Sequence, residues 1–160
     1  MGYDIHITRA ACWLDGEETP ITLDEWRSYV ASDPELMASD PELMIGQSDD
    51  CISAGWYGEG GHPNNSKCVG GFWWDSGCIV EKNPSKAEIG KMTRIALALN
   101  ARVVGDEDEE YRPNGEVYEE QFIDKPPGIF RQLWSWMTGK PLPERKSAWV
   151  CIYRWDEKDE

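Results

Sequence analysis

Apolar and polar residues alternate through YDIHITRA at 3–10, with Ile5 and Ile7 on one side and Asp4 and His6 on the other. A period of two sends successive side chains to opposite faces, so the stretch predicts a first strand. An acidic turn follows at 14–20. The period then lengthens. Thr22 and Glu25 have capping-box spacing, and Leu23, Trp26 and Val30 recur helically behind them, which predicts a helix to about residue 31. CISAGWY at 51–57, CVGGFWW at 68–74 and CIVEK at 78–82 read as strands, the last two joined by the short turn Asp75-Ser76-Gly77. Ser85 and Glu88 repeat the capping-box spacing, and Ile89, Met92, Ile95, Ala96 and Leu99 then mark one apolar helix face ending near Asn100. ARVVG at 101–105 is a short strand. Residues 110–112 and 116–122 flank Pro113-Asn114-Gly115, and Asn-Gly is a strong hairpin signal. Ile129, Phe130, Leu133, Trp134 and Met137 predict a third helix, and AWVCIYRW at 148–155 alternates as a last strand.

These elements predict a single α+β domain over 1–155, with a mainly antiparallel sheet and about three helices, and an unstructured acidic tail at 156–160. The connection at 31–44 is ASDPELMASDPELM, one heptapeptide written twice. Asp-Pro-Glu has the chemistry of a helix start: Asp33 as N-cap, Pro34 at the first helical position, Glu35 at the positive end of the dipole. Asp40-Pro41-Glu42 repeats it, yet Pro41 forbids one smooth helix through both copies. Two units of seven are too short and too few for a solenoid. The doublet reads as a duplication held in a surface loop, because lengthening a loop costs little.

Composition narrows the function. The chain of 160 residues carries a net charge of −14, which argues against gripping nucleic acid through its phosphates and favours attraction to a basic partner. No apolar run is long enough to cross a bilayer, and MGYDIHITRA lacks the basic-then-apolar order of a signal peptide. Five cysteines without a CxxC pair read as reduced thiols, so a cytoplasmic protein is expected. Most of the nine tryptophans must be core.

The densest feature is GDEDEEYRPNGEVYEE at 105–120, where eight carboxylates face one arginine. Its net charge of −7 is half the protein's total. Asp106, Glu107, Asp108, Glu109 and Glu110 are therefore candidate contacts for a cationic protein, beside the alternative of a solvated hairpin. GEGGHPNNSK at 58–67 lacks the Lys-Ser/Thr of a phosphate loop and reads as a strand connection or a recognition loop, with Trp56, Tyr57 and His62 as contacts. One of Trp73 and Trp74 must face outward, and Trp74 is the candidate anchor. No catalytic residue, metal site or cofactor is implied. The acidic run fits no EF-hand register, the cysteines match no common zinc spacing, and a Cys–His pair from His62 with Cys68 or Cys51 stays open as the enzymatic alternative. His6, facing away from the isoleucines, reads as a surface or satisfied histidine.

Two blocks, YDIHITRAACWLDGEETPITLDEWRSYVASDPELM and KNPSKAEIGKMTRIALALNARVVGDEDEEY, resemble a family of small uncharacterised bacterial proteins. The resemblance spans roughly 3–37 and 79–111, and the family pattern holds a single SDPE-like element. It departs at GEGGHPNNSK and from about residue 125 onward. The family brings no established activity. Its look is similar to immunity partners of bacterial toxins, which implies an acidic inhibitor of a basic toxin domain. The enzymatic alternative and a housekeeping interaction module remain beside it.

Overall fold

The computed structural model describes residues 2–38, 53–62, 64, 67–122, 137–138, 141 and 146–154. The strands are β1 (Asp4–Thr8), β2 (Leu36–Ala38), β3 (Ser53–Trp56), β4 (Gly70–Asp75), β5 (Cys78–Lys82), β6 (Arg102–Gly105), β7 (Glu110–Tyr111), β8 (Glu116–Phe122) and β9 (Ser147–Arg154). They form one sheet in the order β2-β3-β4-β5-β1-β6-β7-β8-β9, every neighbouring pair antiparallel. The helices among the described residues are α1 (Leu23–Ser32), α2 (Lys86–Ala98) and a 3₁₀ helix at Trp13–Glu18. The α+β class with a mainly antiparallel sheet is thus as expected. The acidic turn expected at 14–20 is largely this 3₁₀ helix. The expected third helix falls almost wholly outside the described residues, as do residues 51 and 52.

Both capping boxes form. Thr22 Oγ1 accepts from Glu25 N while Glu25 returns to Thr22 N, and Ser85 with Glu88 does the same at α2. Helix α2 ends on Asn100 in the left-handed region (φ 51°), and Ala101 N donates to Ala96 O. The β4–β5 hairpin turns on Ser76 and Gly77, both at positive φ, which suits the twist of the flanking strands.

Residues paired directly across a sheet share a face. One row runs Trp74, Ile79, Ile7, Val103, Tyr111, Val117. It packs with Trp26 and Val30 of α1 and Ile89, Met92, Ile95 and Ala96 of α2 into the main core. The adjacent row runs Trp73, Val80, His6, Val104, Glu110 on the opposite face. That face is covered by the 3₁₀ helix, which packs on β1 and β5.

The first heptapeptide corrects its reading. Asp33 is the C-cap of α1, not the N-cap of a new helix, and its N–H donates to Tyr29 O. Leu36–Ala38 then continues as strand β2, paired with β3. Helix-start chemistry loses here because Asp33 and Glu35 are claimed by a tertiary partner, Lys91 of α2. The second copy lies outside the described residues from 39 onward.

Candidate functional site

Strand β1 delivers Asp4 and His6 to the face away from α2, β5 delivers Val80, and β4 delivers Trp73. The β4–β5 hairpin adds Asp75 and Cys78, and the 3₁₀ helix lays Trp13, Leu14 and Glu17 across the opening. Together they bound a cavity of about 510 Å³. Its floor is rigid. The Trp13 ring stacks on the His6 imidazole with centroids 4.2 Å apart and planes 5° from parallel. That stack leaves His6 only 6% exposed, so a strand position that alternation assigns to the polar face is buried by a second layer. His6 Nε2 donates to Asp106 Oδ1 at 3.2 Å, and Asp4 N donates to Asp106 Oδ2 at 2.9 Å. Asp106 is thereby fastened to β1 and also lines the cavity.

The charge of this cavity is one-sided. Asp4, Glu17, Asp75 and Asp106 line it, and no lysine or arginine does among the described residues. Asp4 Oδ1 is buried and has no hydrogen-bond partner. Burying an acceptor without a donor costs on the order of 1–3 kcal/mol. All four carboxylates would attract an entering cation, and two indole rings stand in the same walls. The lining offers donors and acceptors for binding but no group of three or more metal-ligating side chains among the described residues.

The acidic run 106–110 divides. Gly105-Asp106-Glu107-Asp108 is a tight turn between β6 and β7, closed by Asp108 N donating to Gly105 O and with Asp108 at φ 64°. Glu109 points inward, buried, and accepts from Tyr111 Oη at 2.8 Å. A side chain at Gly105 would meet the ends of the Glu109 and Tyr3 side chains, which would have to shift to make room. Glu110 pairs with Arg112 at 3.0 Å and lies 3.8 Å from Arg102. Asp108 accepts from Cys12 Sγ at 3.6 Å. Glu107 and Asp108 are exposed at the tip, and Asp106 belongs to the cavity. The hairpin is not a uniform field, because the fold has already committed Glu109 and Glu110 internally.

A second group of carboxylates lies across the sheet. Lys91 is 2% exposed and donates to Asp33 Oδ2 at 2.7 Å and Glu35 Oε2 at 2.9 Å. Burial alone would raise Glu35, but the Gly60 N–H, Lys91 and the Trp56 indole outweigh it and hold the carboxyl at about 2. Asp33 is likewise lowered overall: burial opposes ionisation, and Lys91, the Glu35 N–H and Tyr29 overcome it. Glu81 has the reverse fate. Burial, then the nearby Glu88, push it up to about 7, and its Oε2 has no partner.

The remaining sequence candidates scatter. Trp56 is buried, its indole donating to Glu35 at 3.3 Å. Tyr57 is half-buried beside it, its N–H on Glu35 O. His62 is exposed, with Nδ1 accepting from Asn64 N, and lines a separate hollow with Arg27, Pro34 and Met37. Cys68 directs its thiol to Gly70 O at 3.2 Å, and the four described cysteines form no disulfide. Trp74 is the inward member of its pair: it packs on the core and donates to Ile21 O at 2.7 Å. The outward member is Trp73, in the cavity wall. Sequence reading missed Asp4, Trp13, Glu17, Trp73 and Asp75. The usable signal was the alternation of YDIHITRA, which already sets Asp4 and His6 on one face.

No family model, curated protein or solved structure matches the chain. No described helix is long and apolar enough to cross a membrane.

Proposed function

We propose that this chain is a non-enzymatic acidic binding domain for a basic protein, acting as an immunity-type inhibitor of a basic bacterial toxin domain. The carrying observation is the cavity lined by four carboxylates and by no lysine or arginine among the described residues. The exposed acids Glu107 and Asp108 and the net charge of −14 add long-range attraction. Such steering raises association rates by about 10–10³ and weakens with salt. Glu107 and Asp108 would guide the encounter, and the cavity would hold what arrives.

The test uses a fluorescein-labelled deca-arginine peptide and stopped-flow mixing. Association is expected to be fast at about 50 mM salt and to slow at least ~10-fold at about 500 mM. Absence of binding at the lower salt would remove the reading. The immunity reading further expects the neighbouring gene to encode a large protein with a basic C-terminal domain whose toxicity this chain neutralises on co-expression.

One observation favours an enzyme instead: buried His6, oriented by Asp106, lines the same cavity. A hydrolase would use it as general base. Loss of a measured hydrolytic activity in His6→Gln, with the fold intact, would establish that alternative.

A further inference from the structure

The cavity's shape and chemistry say more about what it takes than its charge alone. Flat aromatic walls and carboxylates at separate points suit a planar cation better than a compact one. An ammonium is a strongly hydrated point charge, whereas a guanidinium is weakly hydrated, stacks on indole faces and directs five N–H donors in one plane. The donors have acceptors to meet. Both oxygens of Asp106 are already used by His6 and the Asp4 N–H, and Asp4 Oδ1 is closed off by burial, so the acceptors within reach are those of the exposed Glu17 and Asp75. Asp75 and Glu17 approach from the hairpin and the 3₁₀ helix, on two different sides. Trp13 is fixed by its stack on His6, and Trp73 stands on β4 in the row that continues to Val80 and His6. A divalent metal does not fit this lining, because no group of three metal-ligating side chains forms among the described residues. The volume of about 510 Å³ exceeds one side chain, so the site admits an arginine together with the chain that carries it.

We infer that the cavity between β1, the β4–β5 hairpin and the 3₁₀ helix is a socket for the guanidinium of an arginine on the partner protein, with Trp13 and Trp73 as its walls and Glu17 and Asp75 as its acceptors. This rests on the basic-partner reading above and deepens it by naming the group recognised. The socket places the partner's arginine in a partly desolvated site, where such contacts contribute most to residence time.

The experiment follows the tryptophan indole N–H signals of the ¹⁵N-labelled full chain during titration. The probes are N-acetyl-arginine amide, its lysine counterpart and the neutral isostere N-acetyl-citrulline amide. The arginine probe is expected to shift the Trp13 and Trp73 signals saturably, the lysine probe to bind several-fold more weakly, and the citrulline probe not to bind. The Glu17→Gln/Asp75→Asn double variant is expected to weaken the arginine probe at least ~10-fold. Equal response to citrulline or lysine, no saturable shift, or an unweakened double variant would overturn the socket. Deca-arginine separates the two levels of the argument. If it binds wild type and double variant alike, the socket falls and the basic-partner reading stands. If it fails to bind wild type, the basic-partner reading itself falls.

Discussion

Two groups of carboxylates in this protein sit in opposite circumstances. Asp33 and Glu35, both half-buried, share the buried Lys91 at 2.7 and 2.9 Å. Asp4, Glu17, Asp75 and Asp106 share a cavity that no lysine or arginine lines among the described residues. The first group has its cation within the chain, so its job is to join α1, β2 and the Gly60 loop to α2. No lysine or arginine lines the cavity of the second group among the described residues, so its negative charge is available to something outside. Net charge treats the two alike; only the partner of each carboxylate separates structure from recognition.

The largest break in this comparison is Lys91→Ala. It takes the buried cation away from two half-buried carboxylates, which costs at most about 3–5 kcal/mol. Melting temperature should fall by about 10 °C in a calorimetric scan. An unchanged value would mean that Asp33 and Glu35 find other partners.

Next in size is the response to pH, where the two ends of the acid range work through different groups. Glu81, raised to about 7, favours its neutral form in the fold, so its contribution is whole below the ordinary value of 4.5 and is lost as pH climbs to about 7. Glu35, held at about 2, contributes above 4.5 and loses that contribution as pH falls toward 2. Stability should therefore peak near pH 5 and decline toward neutrality. Glu81→Gln should flatten the decline between pH 5 and 8 in thermal melts, and a decline that persists in that variant would clear Glu81 of responsibility.

A smaller effect is expected from removing residues 38–44. The two heptapeptides are identical, so deleting either copy leaves the same chain, with one Asp-Pro-Glu for Lys91. Removing one copy is expected to change stability by under ~1 kcal/mol. Chemical denaturation would detect a larger loss, which would show that the doublet is needed. The smallest change belongs to Glu17→Gln/Asp75→Asn, expected within about 0.5 kcal/mol of wild type, or slightly stabilising as repulsion is relieved.

What was legible in the sequence was local. The two capping boxes, the Ser76-Gly77 hairpin and the Asn114-Gly115 turn are each decided within a few residues, and all four formed where expected. What was hidden depends on contacts across long separations. Asp33-Pro34-Glu35 carries sound helix-start chemistry, yet Lys91, 58 residues from Asp33, decides its conformation. The cavity was hidden for the same reason. His6 meets Asp106, 100 residues on, because β1 lies between β5 and β6 in the sheet, an order that periodicity alone does not specify. Trp13 sat just before what reads as an acidic turn, and only its stack on His6 turns an exposed sheet face into a walled site. The charge count on 105–120 was accurate, but Glu109 and Glu110 serve the fold, and the acid that joins the site, Asp106, does so through β1.

The cavity is expected to lack a cation that an external arginine supplies. Thermal melts of wild type and the Glu17→Gln/Asp75→Asn variant, with N-acetyl-arginine amide or its citrulline isostere, address this directly. With the arginine probe about tenfold above its Kd, wild type should melt roughly 3 to 6 °C higher. The variant, and wild type with the citrulline probe, should not move. Equal stabilisation in all three cases, or none in any, would contradict the account.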